Sequence, residues 1–157
     1  MDIRLWTEMH EKLQQSMKKE IETMREVLAN MHQEEQSLLI NDKSSWSRVM
    51  EERSALILRL SDLREERLHT TEKLQLMAFP QGVPEDVPLE DLFPPQDLLS
   101  CETLTLRDQL MALVERLNLQ SGRNEILFNL SQHPMREEPQ VQPHKPKISI
   151  ATLPPKE

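Results

Sequence analysis

Apolar side chains recur at every third or fourth position along the first 79 residues. Trp6, Met9, Leu13, Met17, Ile21, Met24, Leu28, Met31 and Leu38 form one series, mostly in steps of 3 and 4. That is the period of a single long amphipathic helix. The stretch "NDKSS" (41–45) interrupts the series with turn-forming residues, and Asp42 or Ser44 is the expected N-cap of the next element. A second series, Trp46, Val49, Arg53, Leu56, Leu60, Leu63, Arg67, Thr70, Leu74 and Met77, alternates steps of 3 and 4 without exception. It reads as a heptad repeat with Arg53, Arg67 and Thr70 as polar members. Two helices of about 35 residues, each roughly 50 Å long, joined by a short polar turn predict an antiparallel, coiled-coil-like hairpin over 1–79.

All 11 prolines and both glycines come after residue 79. "FPQGVPEDVPLEDLFPPQD" (79–97) has five prolines and five acids with no base, which predicts an extended, acidic, proline-rich linker over 80–99. A third helix is expected over 100–131, with Ser100 as a possible cap. Residues 132–157 carry the other six prolines and no period, the composition of a disordered tail; "KISIATL" is its one β-like run. The expected fold class is all-α.

In the third helix Leu106, Leu110, Leu113 and Leu117 share a face that Asn124 and Phe128 continue. Leu119, Ile126 and Leu130 lie opposite, with Leu127 between. A glycine in a helix interior costs about 1 kcal/mol, so Ser121-Gly122 predicts a break or bend. Beyond it the helix is apolar on two sides, and such a helix expects cover on both. Either a partner covers the second side, or the end folds back over the open tip of the hairpin.

Composition narrows the function. Aromatics are 3%, with no Tyr, and charged residues are 29%, which suits thin helical packing lined by Leu and Met rather than a thick core. A formal charge of −8 argues against nucleic acid and against an anionic membrane surface. No stretch approaches 18 uninterrupted apolar residues, so no membrane span is expected. "MDIRLWTEMHEK" lacks the basic and apolar regions of a signal peptide, and a single cysteine, Cys101, allows no internal disulfide. A reducing cytoplasm is the expected compartment.

Candidate chemistry is sparse. His10, His32, His69, His133 and His144 are separated in sequence. Glu66 and His69 have the spacing used in di-metal bundles, but the heptad turns His69 outward. Cys101 stands beside Ser100 and Glu102, not the electropositive setting that activates a thiol. Gly82 and Gly122 each stand alone, so no phosphate-cradling loop is present. Neither a catalytic residue nor a metal or cofactor is expected, and the chain does not read as an enzyme. Met9, Met17, Met24 and Met31 either fill the hairpin seam or form an adaptable partner surface.

"LNLQSGRNEILFNLSQ" resembles the C-terminal helix of FlgN-family type III export chaperones, in which an asparagine-bearing polar stretch precedes a Leu-rich end. "EEQSLLINDKSSWSRVMEERSALILRLSDLREER" resembles the front of that family, with a Leu-Leu pair, an Asp in the inter-helix turn and a charged helix carrying leucine pairs. The likeness spans roughly residues 20–75 and 100–131. It implies a small bacterial cytoplasmic protein, of a flagellar or injectisome system, that binds an amphipathic helix of a secreted subunit and keeps it unassembled until export. The export gate or export ATPase would be a further partner, and the protein a monomer or homodimer. Leu119, Asn124, Ile126, Leu127 and Leu130 are the expected partner-binding residues, and the acidity suits a basic or neutral client. The competing expectation is a coiled-coil structural or stalk-like component of a secretion ATPase complex.

Overall fold

Two caps at the first turn show how closely local sequence sets the helix boundaries. In the computed structural model, which describes residues 2–82 and 98–132, the chain forms three helices: α1 (Ile3–Leu39), α2 (Lys43–Ala78) and α3 (Leu98–Gln132). No strand occurs among the described residues. Asn41 adopts a left-handed φ of 55°. The Asp42 N–H then reaches back to Ser37 O at 2.9 Å and the Asn41 N–H to Leu38 O at 3.2 Å, the paired bonds of a Schellman ending with Asn in the glycine position. Of the two expected caps for α2, Asp42 is the one used. Its carboxylate accepts from Ser45 N–H at 3.1 Å and Ser45 Oγ at 2.7 Å, and these bonds hold the Asp42 carboxyl below the usual carboxylate range.

Residues 83–97 of the expected linker and 133–157 of the expected tail, with "KISIATL", lie outside the described residues. Helix α3 starts at Leu98, and Ser100 is buried inside it rather than capping it. The break expected at Ser121-Gly122 is absent: α3 is one helix from Leu98 to Gln132. A single interior glycine costs only about 1 kcal/mol. Gln120 and Asn124, flanking it, make side-chain bonds to α1 that each contribute a comparable 0.5–1.5 kcal/mol or so.

The contacts divide the chain into two compact units, Met1–Thr23 with Arg59–Ala112 and Met24–Leu58 with Leu113–Glu157. The first buries Leu13, Met17 and Ile21 of α1, Leu60 and Leu74 of α2, and Leu106 and Leu110 of α3. The second buries Met24, Val27 and Met31, Val49, and Leu113 and Leu117 from the same three helices. All ten members of the α2 heptad are buried or half-buried.

Helix α1 departs from expectation. Besides its apolar series it buries a second stripe, Ser16, Glu20, Thr23, Val27, Asn30, Glu34 and Ser37. This stripe also alternates steps of 4 and 3, and it is almost wholly polar. It accounts for the arginines in the α2 heptad. In the first unit Arg67 Nε donates to Glu20 Oε2 at 2.7 Å, and Ser16 Oγ to Leu63 O at 3.4 Å. In the second, Asn30 Nδ2 donates to Val49 O and Arg53 Nε to Asn30 Oδ1, both at 2.9 Å, while the Arg53 guanidinium pairs with Glu34. A further buried group joins α1 to α3 in the first unit. Gln14 Nε2 donates to Leu99 O at 2.9 Å and Thr103 Oγ1 at 3.1 Å, and His10 Nε2 pairs with that hydroxyl at 2.5 Å.

Burial raises the Glu20 carboxyl above its ordinary value, and the Arg67 guanidinium only partly opposes the shift. A raised carboxyl favours the folded state where it is protonated. Its contribution is full below the unfolded value of 4.5 and is lost as pH rises through the folded value. The melting temperature of the native chain relative to Glu20→Gln should therefore rise as the solution is acidified from neutrality toward that value. Thermal melts of both chains across the range check this; a difference that is flat or falls on acidification contradicts it.

Candidate partner-binding face

Past Leu117 the sidedness of α3 inverts. Leu113 and Leu117 point inward and are buried, as the heptad-like face of this helix requires. The next inward positions are polar. Gln120 Nε2 donates to Glu35 Oε2 and to Asn124 Oδ1, both at 2.9 Å. Asn124 Nδ2 donates to Met31 O at 2.8 Å and Glu34 Oε2 at 3.1 Å. Arg123 Nε pairs with Glu35 Oε1 at 2.8 Å. Further along, Phe128 stacks on Trp46 with ring centroids 5.4 Å apart and planes at 26°. Glu34 thus meets Arg53 of α2 and Asn124 of α3 at one point, so its carboxylate is satisfied from two helices.

Three apolar residues of the same segment face away. Leu119 is 76% exposed, Ile126 50% and Leu130 63%. At about 100° per residue the three fall within an arc of about 40°, opposite Leu117. A short helix face that hides amides and displays leucines is the reverse of what folding alone favours, since burying one such side chain is worth about 1.5–3 kcal/mol.

Of the five residues expected to meet a partner, three form this open stripe: Leu119, Ile126 and Leu130. Leu127 is half-buried beside it. Asn124 is turned the other way, 2% exposed and engaged with α1, so its place is in the seam that holds α3 down. Sequence reasoning missed the α1 side chains of that seam, Glu34 and Glu35, and with them the buried polar stripe of α1 to which Glu34 belongs. The available signal was the unbroken alternation of 3 and 4 through Ser16, Glu20, Thr23, Val27, Asn30, Glu34 and Ser37, which a search for apolar residues passes over.

Among the described residues no group of three His, Cys, Asp or Glu side chains is placed to hold a metal ion, and no helix is long and apolar enough to cross a membrane. The chain matches no protein-family model, no curated protein and no solved structure.

Proposed function

We propose that this protein is a FlgN-like type III export chaperone: a cytoplasmic, non-enzymatic binding protein that takes an amphipathic helix of a secreted subunit and keeps it unassembled until export. On this reading α1 and α2 form a long antiparallel coiled-coil-like hairpin that serves as the rigid back, and α3 presents the binding face. What supports it is the inverted sidedness of α3, in which Leu119, Ile126 and Leu130 stand open while Gln120 and Asn124 are held inside. Recognition is helix against helix, and no covalent step is involved. The export gate or ATPase would receive the loaded complex.

The test is a calorimetric titration of the full chain with the amphipathic terminal segment of a candidate secreted subunit. Saturable binding is expected. Ile126→Asp with Leu130→Asp should weaken it at least about a hundredfold, since burying two such side chains contributes roughly 3–5 kcal/mol. Undiminished binding by the double variant would move the client site off α3.

A further inference from the structure

The stripe on α3 has a charged edge. Arg116 and Arg123 are seven residues apart, both exposed, and lie on one line directly beside Leu119, Ile126 and Leu130. Arg123 is anchored through Nε to Glu35 yet its side chain remains 68% exposed, so the rest of its guanidinium faces outward. Asn118, Gly122 and Asn129 occupy the other edge and are uncharged; Glu115 sits on that side one turn ahead of Leu119. Arg123 shares its charge with Glu35, so among the described residues Arg116 is the uncompensated cation, and this one edge of the stripe is basic on a chain whose net charge is −8.

We infer that this face takes a helix with acidic residues along the flank that meets Arg116 and Arg123, rather than the basic or neutral segment the overall acidity suggests. The inference rests on the docking role proposed for α3 and adds the charge of the partner. Range decides between net charge and local charge. Charges more than about 8–10 Å away are screened at physiological salt, whereas a docked flank lies within direct ion-pair distance, where Arg forms forked bonds to carboxylates. A second copy of this chain fits poorly. In an antiparallel pairing the arginine line would meet itself, and in a parallel pairing only Glu115 would be there to meet it. The stripe also exposes on the order of 400 Å² of apolar surface, about half of what each partner buries in a standard stable interface. That suits a single, releasable helical segment.

The experiment uses two synthetic amphipathic helical peptides with the same Leu stripe, one with Glu and one with Lys at the flank positions, titrated into the full chain. The Glu peptide should bind roughly fivefold to tenfold more tightly at physiological ionic strength, where the distant charges are screened, the opposite of what the net charge would produce. Arg116→Glu with Arg123→Glu should invert the preference. Because Arg123 also holds Glu35, Arg116→Glu alone provides a variant that leaves the α1 seam intact, and it should reduce the preference without changing the melting temperature. Equal binding of the two peptides, or tighter binding of the Lys peptide, overturns the charge assignment while leaving a docking face. Failure of both peptides to bind, or concentration-dependent dimerisation abolished by Leu119→Asp, overturns the docking role together with it.

Discussion

Leu117→Asp is expected to unfold the protein, whereas Ile126→Asp with Leu130→Asp, on the opposite side of the same helix, should leave its melting temperature within about 3 °C. Leu117 is fully buried in the second unit. Truncating such a leucine costs about 2–5 kcal/mol, and an unpaired carboxylate in its place adds a further desolvation penalty. Against a typical total of about 5–15 kcal/mol, that is most of the stability available. The double variant changes side chains that are already open to water, so little is lost on folding. Circular dichroism melts of the two variants make the comparison. If the double variant melts as badly as Leu117→Asp, both sides of α3 are core, and Leu119, Ile126 and Leu130 present no docking face.

Glu34→Leu is the second large effect. The Glu34 and Arg53 side chains are 8% and 12% exposed, and Glu34 also accepts from Asn124 Nδ2. Removing the carboxylate leaves a buried guanidinium with Asn30 Oδ1 as its remaining neutral partner, and breaking a buried pair from one side costs about 3–5 kcal/mol. Replacing both, Glu34→Leu with Arg53→Leu, removes the stranded charge and should recover most of that loss. Glu20→Leu in the first unit should cost less, because Arg67 is 27% exposed and water can resolvate it. Denaturant unfolding of the single and double variants measures the coupling. A cost below about 1 kcal/mol for Glu34→Leu would mean that the pair is solvated and does not set how α2 lies on α1.

How far the sequence alone reaches differs by helix. The three helices were legible because their signals are local. The 3-and-4 alternation in α2, the breaker-free first 79 residues and the Asp42 cap act over a few turns, and all ten heptad positions of α2 face inward as read. The fate of Ser121-Gly122 was not legible. The cost of one glycine is small, and whether the helix continues depends on amide bonds from Gln120 and Asn124 to residues about 90 positions away in the chain.

The same reason divides the candidate site. That α3 is apolar on both sides beyond Leu117 follows from spacing alone, and so does the alignment of Leu119, Ile126 and Leu130. Which side turns inward is a tertiary decision. It is made by Glu34, Glu35 and the Met31 carbonyl on α1, which offer acceptors that Gln120, Arg123 and Asn124 meet from α3. Spacing likewise showed that Arg53 and Arg67 occupy inward heptad positions, but a buried arginine is tolerable only against a carboxylate or amide. Glu20, Asn30 and Glu34 become those partners through the packing of α1 on α2. Hydrophobic period is a property of one segment and can be read from it. Satisfaction of buried polar groups is a property of pairs of segments, and it exists only once the helices are side by side.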